Sequence, residues 1–156
     1  MTFFPDGSLD RRMFHSGIVV PSLEETAQQY GELFGMRFAR PLRSRQTVRV
    51  DGELEQVELQ ITYSIQGPPH LEIIQEDAGD VWRRFGLNHI GFWAEDIAGA
   101  MRTLERNGFP PRVHDEAPDP DSTRYSYHPD PSGGLWIELN GTHFAAVLEN
   151  WLAGGA

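Results

Sequence analysis

The chain has 156 residues, 39% of them hydrophobic, and its formal net charge is −10 at pH 7. This length suits one domain or two small modules that share a core, and the hydrophobic fraction suffices for a packed globule. The acidic balance argues against nucleic-acid binding, and the absence of cysteine excludes disulfides, thiolate metal ligands and a cysteine nucleophile.

The sequence also argues against a membrane location. It contains no apolar run of about 18 residues or more, so we expect no membrane-spanning helix. The first twelve residues, MTFFPDGSLDRR, lack a basic segment followed by a long apolar stretch, so no signal peptide is indicated. Together with the lack of cysteine, these features favour a cytoplasmic protein.

The first half reads as a strand, a helix and a further set of strands. The helix begins after Ser22, whose spacing to Glu25 is that of a capping box, and it ends at Gly35. The dipeptide Asp51-Gly52 predicts a tight hairpin turn, because both residues tolerate positive φ. Strands are predicted over residues 13–20, 36–41 and 70–75, in addition to the two arms of the hairpin.

The second half repeats this order after a short linker at residues 76–86. A helix is predicted over residues 96–107, with Gly108 as its stop. The tail at residues 143–152 has helical apolar spacing, which predicts a docked helix or an oligomer contact. Strands are predicted over residues 87–94 and near residues 111–114, 124–128 and 135–140.

The two halves share one arrangement of functional residue types. In each, a histidine opens a strand, a glycine follows two positions later, and an apolar strand near the end carries one glutamate. A pseudo-twofold axis between duplicated modules would bring both histidine–glutamate pairs to one place, so the repeat indicates a site as well as a fold. The matching residues are His15, Gly17 and Glu72 in the first half and His89, Gly91 and Glu138 in the second.

These residue types point to a metal site. A carboxylate within a short apolar strand costs several kcal/mol if it is buried without a partner. One such glutamate could face solvent, but two at matching positions, each paired with a strand-opening histidine, favour a shared ligand. We therefore expect His15, Glu72, His89 and Glu138 to bind one divalent ion. Two imidazoles and two carboxylates suit Zn, Ni, Co, Mn or Fe(II), and the sequence does not choose among them.

Candidate substrate contacts follow from the predicted strands of the second half. Trp93, Tyr125 and Tyr127 form either an aromatic pocket wall or part of the core. Arg124 either binds an anionic group or lies on the surface. Glu58 is a candidate acid or base if its strand face lines the cavity, and a solvent-facing glutamate otherwise.

These motifs resemble the vicinal oxygen chelate superfamily, which includes glyoxalase I, methylmalonyl-CoA epimerase, extradiol dioxygenases, fosfomycin-resistance enzymes and bleomycin-binding proteins. The resemblance covers residues 13–141, and the segments LNHIGFWAEDIAGAMRTLERNGF and HPDPSGGLWIELN are similar to methylmalonyl-CoA epimerase. It implies an α+β fold in which two paired βαβββ modules form a cupped mixed sheet around the metal site. One domain over residues 1–156 is then expected, comprising module one at 13–75, a linker at 76–86, module two at 87–141 and a C-terminal helix at 143–152.

The resemblance also implies a chemistry and a set of roles. It suggests a metal-dependent isomerase or lyase of the epimerase or glyoxalase I type, which removes a proton next to a carbonyl through a metal-stabilised enolate. Glu138 is the leading candidate for the base, Glu72 is the second, and Glu58 lies near the position of an epimerase's catalytic glutamate. A small carbonyl compound or acyl thioester is the expected substrate, and a homodimer is the expected assembly.

Two other functions on the same scaffold stay open at this point. A non-haem iron ring-cleaving dioxygenase would use His15, His89 and Glu138 as a facial triad, but Glu72 would then occupy a position that oxygen or substrate needs. A metal-free small-molecule binding protein of the resistance type would not require the full ligand set that this chain retains.

Overall fold

Strands dominate the computed structural model, which describes residues 9–76 and 81–154. The strands are β1 (Leu9–Val20), β2 (Leu42–Val50), β3 (Glu53–Tyr63), β4 (His70–Gln75), β5 (His89–Ala94), β6 (Val113–Asp115), β7 (Tyr125–His128) and β8 (Trp136–Gly141). The helices are α1 (Leu23–Phe34), α2 (Val81–Phe85), α3 (Ile97–Arg106) and α4 (Ala145–Leu152), with single 3₁₀ turns at Pro120–Ser122 and Thr142–Phe144.

The eight strands curve into a closed barrel in the order β1-β4-β3-β2-β6-β7-β8-β5. β1 pairs in parallel with β4, and β5 pairs in parallel with β8, whereas the remaining neighbours pair antiparallel. Strands β5 to β8 therefore repeat the arrangement of β1 to β4 about a pseudo-twofold axis. The predicted α+β fold of two paired modules that form a cupped mixed sheet is confirmed.

Local sequence signals act as expected at the first helix and at the hairpin. The Ser22 hydroxyl accepts a hydrogen bond from the Glu25 backbone N–H at 3.3 Å, and Gly35 ends α1 in the left-handed region at φ 65°. Asp51 and Gly52 join β2 to β3 with φ values of 49° and 93°. These positive values fit the tight hairpin turn that the dipeptide predicts.

One predicted strand and the start of another are wrong. Residues 36–41 form only an isolated bridge between Phe38 and Ser64, and Pro41 lacks the backbone N–H that a paired strand would use. In contrast, β1 begins at Leu9 rather than at residue 13, because its pairing with β5 extends to Ala94.

Helices α3 and α4 pack against the strands of the barrel. Ile97, Met101 and Leu104 of α3 are buried in a cluster with Leu139 of β8. The C-terminal helix α4 docks on the barrel of its own chain, where Leu148 is 4% exposed. Among the described residues, no helix has the length and apolar character that crossing a bilayer requires.

His128, at the end of β7, is a buried histidine with a structural role. Its Nδ1–H donates to the Phe109 carbonyl at 2.8 Å, and its Nε2 accepts from the Ser126 hydroxyl at 2.9 Å. A neutral imidazole ring with its proton on Nδ1 makes both of these hydrogen bonds. Burial lowers the pKa of His128 from 6.5 to about 4, so the side chain is uncharged at neutral pH.

We predict that acid destabilises the fold through His128. Because its pKa is lower in the folded chain, the unfolded chain binds more protons between pH 6.5 and about 4. The free energy of unfolding therefore falls as the pH falls through this window, by up to about 3 kcal/mol for this group. Urea unfolding at several pH values should show a shallower pH dependence for His128→Gln than for wild type, and equal slopes would contradict this assignment.

Candidate metal centre

The two strand-opening histidines lie side by side in the barrel interior because each faces a glycine on the opposite strand. The antiparallel register of β1 and β5 places His15 opposite Gly91 and His89 opposite Gly17. A Cβ atom on Gly91 would overlap the His15 ring, and one on Gly17 would overlap the His89 ring. The glycine two positions after each histidine is thus required by the other histidine.

The two glutamates complete a tight cluster. His15 Nε2 lies 2.8 Å from His89 Nε2 and 2.8 Å from Glu138 Oε2, and His89 Nε2 lies 3.0 Å from Glu72 Oε2. One ligand atom from each of the four residues falls within 4.8 Å of the others. Metal–ligand bonds of roughly 2.0–2.3 Å place ligand atoms about 3–4.5 Å apart, so the cluster has the dimensions of a single-ion site.

The cluster is buried, so its charged groups must be neutralised by one another or by a bound ion. Both histidines are 0% exposed, and Glu72 and Glu138 are 3% and 5% exposed. Burial lowers the pKa of His89, but the carboxylates of Glu138 and Glu72 outweigh burial and raise it to about 10. Burial likewise raises the pKa of Glu138, but the charges of His15 and His89 outweigh it and hold this pKa well below its ordinary value.

The centre therefore requires positive charge between its carboxylates, and its geometry fits a metal ion better than a proton. Within the described part of the chain, the inward oxygens Glu72 Oε2 and Glu138 Oε2 accept no hydrogen bond, although imidazole nitrogens lie close by. Buried acceptors that are left unpaired are costly, and a divalent cation would satisfy both of them. The mixed set of nitrogen and oxygen donors fits such an ion.

The two histidines are held differently. His89 Nδ1–H donates to the Leu87 carbonyl at 2.7 Å, which leaves the Nε2 lone pair directed into the cluster. His15 Nδ1 is buried and has no hydrogen-bond partner among the described residues. The orientation of the His15 ring therefore depends on packing, and its neighbours include Phe14 and Tyr63.

A cavity of about 530 Å³ opens onto the two glutamates. Its wall combines aliphatic side chains of β3 and β4 with aromatic and polar side chains of β2, β7 and β8, and the mouth carries charged groups. The lining residues are Leu42, Arg45, Gln46, Thr47, Leu59, Ile61, Tyr63, Glu72, Ile74, Trp82, Glu116, Arg124, Tyr125, Tyr127, Glu138, Asn140, His143 and Phe144.

Three of the four predicted substrate contacts lie in this cavity wall. The Tyr125 hydroxyl donates to Gln46 Oε1 at 3.0 Å, and burial raises the pKa of Tyr125 above its ordinary value. Tyr127 lies opposite Glu138 in the β7–β8 ladder. Arg124 Nε donates to Asp115 Oδ2 at 2.9 Å, which holds this largely exposed side chain at the cavity mouth.

The structure places Trp93 elsewhere. Its ring stacks on Phe14, with centroids 3.7 Å apart and an interplanar angle of 13°, and it lines a second cavity beside α4. Trp93 lies four positions beyond His89 on β5, so the strand carries it past the metal centre. Of the two alternatives that the sequence left open for Trp93, its contacts are those of a packing residue, and it is not among the residues that line the cavity at the glutamates.

Glu58 also points away from the cavity. Alternation along β3 turns Leu59 and Ile61 inward and Glu58 outward, where its carboxylate pairs with Arg45 Nη2 at 2.7 Å. Its side chain is 64% exposed. The resemblance that placed an epimerase-type catalytic glutamate near Glu58 is thus not matched by the direction of this side chain.

Tyr63 is a cavity residue that the sequence reading missed. It lies opposite Glu72 in the β3–β4 ladder, as Tyr127 lies opposite Glu138 in the second half. The residue is 3% exposed, and its ring meets the His15 ring edge-on with the ring centroids 5.5 Å apart. The signal was a tyrosine nine residues before Glu72, matched by a tyrosine eleven residues before Glu138.

Comparisons with known proteins agree with this architecture. The family model for the glyoxalase/bleomycin resistance protein/dioxygenase superfamily matches residues 14–127. Methylmalonyl-CoA epimerase from Mycobacterium tuberculosis is similar in structure, with a TM-score of 0.58 and 18% identity over 90% of this chain and 95% of that chain. No curated protein sequence matches the chain significantly.

Two further solved structures carry ligands. A methylmalonyl-CoA epimerase in complex with methylmalonyl-CoA and NH4+ has a TM-score of 0.53 and 17% identity over 83% of this chain and 93% of that chain. A Streptomyces coelicolor methylmalonyl-CoA epimerase variant in complex with 2-nitronate-propionyl-CoA has a TM-score of 0.53 and 16% identity over 83% and 96% of the two chains. At these identities the structural likeness establishes the fold alone.

We predict that Gly91→Ala and Gly17→Ala each abolish binding of the metal ion. The added methyl group would occupy the space of the His15 or His89 ring and force that ligand out of the cluster. Elemental analysis of protein purified without chelator should find one divalent ion per wild-type chain and a small fraction of that in either variant.

Gly134→Ala is the matched control for these glycine variants. Gly134 lies in an exposed turn, where the nearest atom to an added Cβ is Asp130 Oδ2 at 3.3 Å. This variant should keep its metal. Full metal content in Gly91→Ala would contradict the placement of His15.

Proposed function

We propose that this chain, which belongs to the glyoxalase/bleomycin resistance protein/dioxygenase superfamily, is a metal-dependent isomerase or lyase that removes a proton next to a carbonyl group. The observation that carries the proposal is the convergence of two buried histidines with two buried glutamates, and these glutamates line a cavity. Such a pocket, with perturbed titratable groups at its base, is typical of an active site.

The ion would be held by His15, Glu72, His89 and Glu138. When bound, a divalent ion of this kind supplies Lewis-acid stabilisation of the negative charge that develops on a substrate oxygen when the adjacent carbon loses a proton. The donor set supports Zn, Ni, Co, Mn or Fe(II). Glu72 and Glu138 are 3% and 5% exposed, and this burial strengthens electrostatic interactions at the site.

Proton transfer falls to the two buried glutamates. Of the described residues that line the cavity, three carry carboxylates, and Glu116 is exposed at the mouth whereas Glu72 and Glu138 reach the floor. Glu138 lines the cavity and is 5% exposed, and an ionised carboxylate in this position can accept a proton from a bound substrate. Glu72 lies across the pseudo-twofold axis, where it can act on the opposite face of a substrate.

This arrangement supports two related reactions. Two bases on opposite faces permit epimerisation, in which one glutamate removes the proton and the other returns a proton from the other side. A single glutamate that moves a proton between neighbouring carbons permits isomerisation of the glyoxalase I type. Both outcomes need the same first step, which is removal of an acidic proton beside a carbonyl group.

We infer a small carbonyl compound or an acyl thioester as the substrate. The methylmalonyl-CoA complex of a structurally similar epimerase supports the thioester. The homodimer rests on the family resemblance alone, because the apolar face of α4 is used on the barrel of its own chain.

We predict that Glu138→Gln lowers the rate of proton exchange by about 10²–10⁴ and retains part of the metal. The amide oxygen still coordinates weakly, but it cannot accept a proton. The assay is incorporation of deuterium from D₂O at the α-carbon of a 2-substituted acyl thioester or an α-hydroxy carbonyl compound. Wild type with metal should exchange, and chelated protein should not.

Glu116→Gln is the matched control, because Glu116 lines the same cavity but is exposed at its mouth. This variant should exchange at close to the wild-type rate. Exchange that survives removal of the metal would refute the proposed chemistry. Oxygen consumption with a catechol, without exchange on any carbonyl compound, would assign the chain to the ring-cleaving dioxygenases instead.

A further inference from the structure

The two cavity tyrosines occupy equivalent positions in the two halves of the barrel. Tyr63 pairs with Glu72 across the β3–β4 ladder, and Tyr127 pairs with Glu138 across the β7–β8 ladder. Their exposed fractions are 3% and 4%. Each tyrosine is therefore a fixed, buried neighbour of one glutamate of the metal centre.

Each tyrosine also contacts the histidine of its own half. The Tyr63 and His15 rings meet edge to face, with centroids 5.5 Å apart and an interplanar angle of 87°. The Tyr127 and His89 rings do the same at 5.1 Å and 82°. This contact matters most for His15, because its Nδ1 atom has no hydrogen-bond partner among the described residues.

Behind each tyrosine lies a tryptophan from the helix that follows the other half. Trp82 of α2, which follows β4, contacts the Tyr127 ring at 5.5 Å and 68°. Trp151 of α4, which follows β8, contacts the Tyr63 ring at 5.5 Å and 86°. Each tryptophan therefore contacts the tyrosine of the other half. Two equivalent series of edge-to-face ring contacts, each running from Trp through Tyr to His, converge on the metal centre.

The tryptophans are themselves held in place. Trp82 is 1% exposed, and Trp151 Nε1–H donates to the Arg40 carbonyl at 2.8 Å. Leu148, one turn earlier in α4, is 4% exposed and anchors that helix on the barrel. Helix α4 lies outside residues 14–127, the segment that the family model matches.

We propose that Trp82 and Trp151 are positioning residues of the metal centre, which orient the two histidine ligands through the rings of Tyr127 and Tyr63. The repeated unit then includes the helix that follows each set of strands, and α4 is a functional part of the site. The inference rests on the metal centre of the proposed function, but it does not depend on which reaction that centre performs.

Cobalt(II) is the probe that tests this proposal, because its visible absorption reports the number and geometry of its ligands. Trp151→Leu removes the ring behind Tyr63 and should raise the dissociation constant for cobalt by about 10–100-fold, the usual range for residues that orient metal ligands. Its cobalt absorption should change in position or intensity. Trp151→Phe keeps an aromatic ring at this position and should restore binding close to wild type.

Leu104→Ala serves as the control for loss of stability. Leu104 is 8% exposed in α3, in a hydrophobic cluster separate from the one that contains α4. This variant should lower the melting temperature without changing the cobalt affinity or spectrum. If Trp151→Leu does not fold, Trp151→Met provides the same test with a flexible apolar side chain.

The proposal is overturned if Trp151→Leu binds cobalt with wild-type affinity and spectrum. It is also overturned if Leu104→Ala weakens binding as much, since the effect would then reflect general stability. A wild-type chain that bound no divalent ion would refute the proposed function as well. Cobalt binding is measured without substrate, so failure of proton exchange alone would refute only the reaction.

Discussion

Two glutamates buried against two histidines form the constraint on which the rest of the structure depends. In a closed barrel these carboxylates have little water to stabilise them, so they require positive charge from within the cluster. That requirement depends on the register of β1 and β5, which sets each histidine against a glycine. A slip of one residue would turn both rings out of the barrel and leave the carboxylates unpaired.

The same constraint explains where chemistry can occur. The cavity reaches the candidate metal centre at Glu72 and Glu138, which are the buried carboxylates of its lining. In the proposed function, these two side chains carry the proton. Pseudo-twofold symmetry relates these two side chains across the cluster. The scaffold by itself serves several reactions, and the choice among them depends on how a substrate lies between the two glutamates.

Order in the centre extends beyond the atoms that would touch an ion. His89 is oriented by a hydrogen bond to the Leu87 carbonyl, whereas His15 lacks such a bond and relies on ring packing. Trp82 of α2 and Trp151 of α4 contact the rings of Tyr127 and Tyr63, which in turn contact the two histidines. Helices α2 and α4, which follow the strands of the first and second halves, therefore belong to the same repeated units as the residues of the candidate metal centre.

The sequence by itself determined the duplication, the four residues of the candidate metal centre and the hairpin turn, because these depend on residue type and spacing along the chain. Tertiary structure alone decided which side chains face the cavity. Glu58 faces solvent while Tyr63, on the same strand, faces Glu72, since the direction of a strand residue depends on register with its neighbours. Likewise, Trp93 passes the site because β5 extends beyond the centre, and Trp151 reaches Tyr63 because α4 folds back across the barrel. Contacts between residues so distant in sequence leave no local pattern from which they could be read.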